Sequence, residues 1–333
     1  MITRTPGSRQ DWRTAIRRTI RDTESLSRAL GRTKADIGAD DAAHRSFTTL
    51  VPPAWLDKID VNDPNDPLLR QVLPTATENE VASGFIDDPV GDQAARRNGG
   101  VLHKYHGRAL LVTTGACAIN CRYCFRRHFP YSEHLASRGR WKAACAYLKD
   151  HPDVTELILS GGDPLMLSTD LLQDLTDQLQ SLPHIQTLRV HTRMPVVMPE
   201  RIDGDLVRWL SSWPGRLVVV IHCNHPNELG PDVASALERL VSSGARLFNQ
   251  SVLLKGINDR WQVLAKLSQR LFDLQVQPYY LHQLDRTTGT AHFEVDQENA
   301  KSIVRQLMAH LPGYLVPKLV QEKAGGEYKQ PML

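Results

Sequence analysis

The chain has 333 residues, 41% of them hydrophobic and 23% charged, enough to bury the core of one large domain with an added segment. Its 40 basic and 37 acidic residues leave a net charge of +3, so no polyanion surface and no nucleic-acid partner is implied. The polar start Met1-Ile2-Thr3-Arg4-Thr5-Pro6 reads as lacking a signal-peptide core, and the longest purely aliphatic run, Leu217 to Ile221, is too short to cross a bilayer.

Residues 11–31 read as one amphipathic helix with Trp12, Ile16, Ile20 and Leu26 on its apolar face. Residues 34–46 are small and polar and predict a turn. From Val51-Pro52-Pro53 the chain is studded with proline, and Asp63-Pro64-Asn65-Asp66-Pro67 carries turn signals. The apolar stretch Pro67 to Leu73 is short. These pieces predict a helical cap, and the Asp-, Gly- and Arg-rich residues 87–100 predict a linker, so the cap and linker together span 1–95.

The apolar run Ala109-Leu110-Leu111-Val112 predicts a buried strand. Cys117, Cys121 and Cys124 follow it in a Cys-x3-Cys-x2-Cys pattern. Three thiolates on a short loop suit one soft metal centre. A structural zinc needs a fourth ligand, here His106 or His128, making a zinc-stabilised binding protein. An iron–sulfur cluster with three protein thiolates instead keeps one iron open. Five cysteines, an odd number and mostly clustered, fit a reducing cytosol rather than disulfides.

Strand-like runs then recur, starting near Ala109, Glu156, Thr187, Arg216, Arg246 and Val276. After the first interval their spacing is about thirty residues, the size of a βα unit in a parallel sheet. Helical faces fall between them: Trp141, Ala144, Cys145 and Leu148; Leu171, Leu172, Leu175 and Leu179, started by Ser168 or Thr169; Val233, Leu237 and Leu240 between Pro231 and Gly244; and Ile303, Val304, Leu307 and Leu311 before Pro312-Gly313. Cys145 belongs to an apolar face, and Cys223 reads as a buried thiol. Six units predict an open, partial (βα)6 barrel over 96–312.

In such barrels the loops after the strands build the site. Polar clusters stand at these places: Ser160-Gly161-Gly162-Asp163-Pro164, His191-Thr192-Arg193, His222 to Glu228, Asn249-Gln250-Ser251 and His282 to Asp285, with His292 beyond. Gly161-Gly162 allows close backbone approach to a ligand. The tail, 313–333, holds Gly325-Gly326-Glu327-Tyr328-Lys329-Gln330-Pro331. A lysine held beside a cofactor aldehyde can form a Schiff base.

The cysteine pattern with Tyr123 before its last member, and Gly161-Gly162 after the second strand, resembles the radical S-adenosylmethionine (SAM) enzymes. Over residues 65–333 the chain resembles the lysine 2,3-aminomutase family. The likeness rests on Tyr105-His106-Gly107-Arg108, Cys117 to Arg127, Ser160 to Leu165, Asn224 to Glu228, Gln250 to Leu254 and the Gly-Gly-to-Lys tail. Within it, Asp66 to Leu73, Leu102 to His106, Cys121 to Tyr131 and Tyr314 to Leu319 are most like the branch that serves β-lysylation of elongation factor P.

The resemblance implies a radical SAM, pyridoxal 5′-phosphate (PLP)-dependent isomerase that turns L-α-lysine into (R)-β-lysine. Cys117, Cys121 and Cys124 would hold a 4Fe-4S cluster whose open iron binds SAM. Lys329 would carry PLP, although Glu327-Tyr328 and Gln330 replace two glycines and a threonine of the family tail. Tyr105, Arg108 and Lys104 fall where the family binds PLP. Gly161, Gly162, Asp163 and Gln250 fall among the other cofactor contacts. Arg126 would bind the substrate carboxylate, Asp285 its ε-ammonium, and Glu322 sits at a second carboxylate position with Glu for Asp. Implied partners are a reductant such as flavodoxin or ferredoxin and the ligase that modifies elongation factor P, with a cytoplasmic location and no membrane. A metabolic aminomutase, or one for glutamate, is the alternative; Asp285 argues for a basic substrate.

Overall fold

The computed structural model describes residues 11–131 and 138–333. The polar start at residues 1–6 lies outside them. Five short helices come first: α1 (Trp12–Arg17), α2 (Thr23–Ala29), α3 (Lys34–Ile37), α4 (Asp41–Ser46) and α5 (Pro53–Leu56). The helix expected over 11–31 is thus two. Asp22 starts the second by accepting a hydrogen bond from Ser25 N at 2.6 Å, while Ile20 leaves the helix to bridge Val51. The turn expected over 34–46 is also corrected. Thr33 and Asp36 form a capping box, Gly38 closes α3 at φ +69°, and Asp40 caps α4.

A hairpin opens the sheet. Strand β1 (Val101–Tyr105) runs antiparallel to β2 (Arg108–Thr114), turning at Gly107 with φ +75°. Then follow α6 (Arg138–Lys149), β3 (Glu156–Gly161), α7 (Thr169–Leu179), β4 (Thr187–Thr192), α8 (Met194–Val197), α9 (Gly204–Ser211) and β5 (Arg216–His222). The chain continues through α10 (Pro231–Ser242), β6 (Arg246–Val252), α11 (Trp261–Asp273), β7 (Val276–His282) and α12 (Gln297–His310). It ends with β8 (Lys318–Gln321) and β9 (Gln330–Pro331). The sheet order is sequential, with every pairing from β2 to β8 parallel and an antiparallel pair at each edge. The six expected strands form the partial barrel, and β8 adds a seventh, short parallel strand beside β7.

The helix boundaries have local causes. Ser168 accepts from Leu171 N at the start of α7, Pro231 opens α10, and Gly244 follows it at φ +85°. The strands divide their side chains by period two. Leu111, Leu157, Leu159, Leu188, Val190, Val219, Ile221, Leu247 and Leu281 pack outward in the main core against the helices. Leu110, Ile158, His191, Val220, Gln250, Tyr280 and His282 face inward and line a cavity. Each fully buried Leu or Val contributes about 1.5–3 kcal/mol, so the outward rows hold the barrel and leave the inward rows open to chemistry.

Candidate active site

The cavity has a volume of about 630 Å³ and runs from the strand C-termini into the barrel. Its upper wall carries Cys117, Cys121 and Cys124, and Lys329 lines the same space. Burial pushes the Cys117 thiol well above its usual range, and the neighbouring Cys124, Asp163 and Cys121 add to it. Burial likewise raises Cys124 to about 11, with Cys121 adding to it. The sulfurs of Cys117, Cys121 and Cys124, half-buried on one loop, with the ionisation of Cys117 and Cys124 opposed by burial and by their neighbours, are a donor set that a cationic centre relieves. Among the described residues no three His, Cys, Asp or Glu side chains are gathered to hold a single metal ion. Thiolates on separate irons of one cluster have no need to converge that way. The zinc alternative loses its fourth ligand: His106 is 92% exposed beside Asp153, and His128 Nε2 lies 3.2 Å from Thr288 O. Neither lines the cavity.

The cap fixes the cysteine loop. Arg122, between Cys121 and Tyr123, turns away from the cavity and is fully buried. It meets Glu78 through Nε at 2.8 Å and Nη2 at 2.6 Å, and donates to Phe47 O and Ala43 O. Arg127 joins Glu78 at 2.8 Å. A bidentate pair with all three guanidinium nitrogens engaged sets loop geometry rather than reactivity. Behind the loop, Arg193 donates from Nη1 to Cys121 Sγ at 2.7 Å and from Nη2 to Gln71 Oε1 at 2.7 Å, with Glu228 at 3.2 Å. Tyr123 hydroxyl meets His222 Nε2 at 2.9 Å. Burial, then the charge of Arg193, presses His222 down to about 3, so it stands there as a neutral imidazole.

Gly161 and Gly162 line the cavity, but their smallness answers to protein backbone. A Cβ on Gly162 would sit 2.4 Å from Ala116 O, and one on Gly161 2.5 Å from Thr114 O. Gly162 N donates to Thr114 O at 2.7 Å, and Asp163 N to Ala116 O at 2.8 Å. The pair therefore clasps the β3 loop onto the cysteine loop. The Asp163 carboxylate is spent on Thr192 Oγ1, on Leu165 N, and on Arg193 N and Met194 N at the head of α8. Burial raises Asp163 to about 6 despite these donors.

A charged chain of side chains also lines the cavity. Arg126 Nε meets Asp92 Oδ2 at 2.7 Å, and its Nη1 reaches Ser160 Oγ at 3.3 Å. Asp92 Oδ1 also meets Lys104 Nζ at 2.6 Å. Lys104 Nζ continues to Glu322 Oε1 at 3.0 Å, and Glu322 Oε2 holds Lys329 Nζ at 2.8 Å. Burial alone would raise Glu322, but Lys329 and then Lys104 override it and hold the carboxyl well below its usual range. Asp285 also lines the cavity; burial, with the charge of Glu322, pushes it up to about 7. Deeper in the barrel the Arg108 guanidinium lies 4.7 Å from the Tyr105 ring centroid, and Arg189 pairs with Glu156. The Nε2 of His191, a cavity residue, is buried without a hydrogen-bond partner, and such an atom in a polar cavity suits a bound ligand.

The structure thus brings Cys117, Cys121, Cys124, Tyr105, Arg108, Gly161, Gly162, Asp163, Gln250, Arg126, Asp285, Glu322 and Lys329 around one cavity. Sequence reasoning missed Asp92, in the supposed linker, and gave Arg193 no partner. The polar cluster at His191-Thr192-Arg193 was the only signal for the second. Cys223 is buried, and Cys145 packs against the core, as expected.

A family described as a 4Fe-4S single cluster domain matches residues 106–190. The L-lysine 2,3-aminomutase of Escherichia coli (strain K12) is 43% identical over 100% of this chain and 97% of its own length. That of Haemophilus influenzae is 42% identical over 95% of this chain and 94% of its own. A solved radical SAM methyltransferase from Sphaerobacter thermophilus aligns with a TM-score of 0.49 and 17% identity, over 66% of this chain and 68% of that one. An open (βα) barrel with a three-cysteine loop after its first parallel strand and a glycine pair after its second is that of a radical SAM enzyme. The chain belongs to the lysine 2,3-aminomutase family and is an isomerase of that type. Among the described residues, no helix is long and apolar enough to cross a membrane.

Proposed function

We propose that the chain converts L-α-lysine to (R)-β-lysine for the modification of elongation factor P. The observation that carries this reading is that Lys329 and the three cysteines line one cavity, with Arg126 and Asp285 on its walls. Cys117, Cys121 and Cys124 would hold the 4Fe-4S cluster, Lys329 would hold PLP, and Tyr105 and Arg108, which line the same cavity, would contact it. When bound, the cluster and SAM supply a radical that takes a hydrogen from the substrate, and PLP carries the migrating nitrogen.

The chain's own residues bind, orient and seclude. Asp92 occupies Nε of Arg126 and Ser160 Oγ lies 3.3 Å from Nη1, leaving Nη2 and the second Nη1 hydrogen for a substrate carboxylate. Asp285 faces the cavity as the acceptor for the ε-ammonium, which favours lysine over glutamate. Gly161, Gly162 and Asp163 fix the loop that carries the cysteines, and Gln250, in the same cavity, would contact SAM. Barrel walls and cap exclude water from the reacting atoms. Residues 1–95 act as cap and linker, 96–312 as the catalytic barrel and 313–333 as the cofactor-bearing tail. The enzyme works in the cytoplasm with a flavodoxin or ferredoxin as reductant, and supplies the ligase that modifies elongation factor P. The similarity of Asp66 to Leu73 and Tyr314 to Leu319 to that branch supports this last step.

Anaerobic incubation with reductant, SAM, PLP and L-lysine, followed by chiral analysis, tests the reading. (R)-β-Lysine is the expected product. Recovery of unchanged lysine from cluster- and PLP-loaded protein would defeat it.

A further inference from the structure

We propose that His191 donates through Nε2 to the substrate α-carboxylate and completes, with Arg126, a two-sided anion site. This inference rests on the reading that Arg126 receives that carboxylate.

Strand register brings the two residues together. Leu159 of β3 is paired with Val190 of β4, and both belong to the main core. The next residue on each strand, Ser160 and His191, faces the other way and lines the cavity. Arg126 Nη1 lies 3.3 Å from Ser160 Oγ. Ser160 thus stands beside His191 and also touches the Arg126 fork. On its other flank His191 is paired with Val220, a cavity residue that offers no polar side chain.

One ring atom of His191 is left unanswered. Its Nε2 is buried and has no hydrogen-bond partner. Such an orphan costs free energy until a ligand meets it. Protein anions on this side are engaged elsewhere: Asp92 holds Arg126 and Lys104, and Glu156 holds Arg189. The charges that act on His191 are led by Arg189, Lys329 and Arg126. Both arginines keep that sign whether or not Lys329 holds a cofactor, so the field at the ring calls for an anion. Burial, ahead of those charges, holds the imidazole well below its ordinary range. It stands neutral, with one N–H to give and without the cost of a further buried cation. Arg126 supplies the charge for the carboxylate, and a single donor from β4 fixes the plane in which it lies.

The test measures the binding of L-lysine and of 1,5-diaminopentane, which is lysine without its carboxylate, by isothermal titration calorimetry. The full chain is used, loaded with cluster and PLP, without SAM or reductant. His191→Phe keeps the ring volume and removes the donor. It is expected to raise the Kd of L-lysine about tenfold, the scale of one hydrogen bond to a charged group, and to leave that of the diamine unchanged. His191→Ala carries the comparison should the phenylalanine variant fail to load. An unchanged lysine Kd, or an equal rise for both ligands, would overturn the proposal. Loss of PLP from both variants at wild-type iron content would overturn it too, by placing His191 on the cofactor. Arg126→Lys separates this inference from the reading beneath it. If that variant binds the two ligands in the wild-type ratio, the assignment of Arg126 falls. If Arg126→Lys loses the preference for lysine and His191→Phe keeps it, the role of His191 alone falls.

Discussion

Arg193 lies against Cys121, its Nη1 2.7 Å from Sγ. The same guanidinium stacks over Trp55 at 4.6 Å and is held by Gln71 and Glu228. A buried N–H donor to a cluster sulfur favours the reduced, more negative state, and so raises the reduction potential. Arg193→Lys keeps the charge and loses the fork. A lower cluster potential at unchanged iron content is expected in a redox titration followed by electron paramagnetic resonance. An unmoved potential would detach Arg193 from the cluster.

Lys329→Ala is expected to remove the visible absorbance of lysine-bound PLP while leaving the iron content of the reconstituted protein intact. On the proposed reading the two cofactors answer to different parts of the chain, and joint loss of both would point to misfolding instead.

Burial, aided by the Glu322 charge, opposes the ionisation of Asp285 and pushes its carboxyl up to about 7. Above that pH it is a carboxylate and attracts a cation; below it the group is neutral. Lysine KM is therefore expected to climb as pH falls below about 7. In Asp285→Asn, KM should be about ten- to a hundredfold higher at pH 8 and lose that slope. A wild-type KM that stays flat from pH 6 to 8 would contradict this assignment.

Asp92 joins Arg126 at 2.7 Å and Lys104 at 2.6 Å with only 3% of its side chain exposed. Removing one member of a buried charge pair costs roughly 3–5 kcal/mol. Asp92→Asn is expected to lower the thermal midpoint and to raise lysine KM. Calorimetry and initial rates check the two effects, and a variant as stable as wild type would show the pair to be idle.

Gly162→Ala would place a Cβ 2.4 Å from Ala116 O, in the loop that leads to Cys117. Overpacking of this kind costs about 1–3 kcal/mol. Reduced iron content after reconstitution is expected, and full cluster loading would show that the two loops can part freely.

The sequence disclosed the barrel because its evidence is repeated and apolar. Outward residues such as Leu157, Leu188 and Val219 recur with their strands, so period and spacing reveal six units. It disclosed the cysteine loop because three thiols in eight residues are rare chemistry. Asp92 was hidden for the opposite reason. A buried carboxylate satisfied by Arg126 and Lys104, distant in sequence, leaves no local pattern, and its polar neighbours resemble a linker. The helices over 34–46 hid likewise, since α3 and α4 owe their ends to Thr33, Asp36, Gly38 and Asp40 rather than to an apolar stripe. Gly161-Gly162 was noticed, but which backbone pressed on it became visible only in three dimensions.

The pairing of β9 with β8 anchors Lys329 through Gln330–Pro331 directly after it, which pair with Gln321 and Val320 of Lys318–Gln321. An amine fixed at its backbone travels only by turning about its own four methylene bonds. Such rotations take picoseconds to nanoseconds, whereas the swing of an untethered terminus extends towards microseconds. A lysine so placed can turn its amine towards or away from the cavity by side-chain rotation while β9 stays paired.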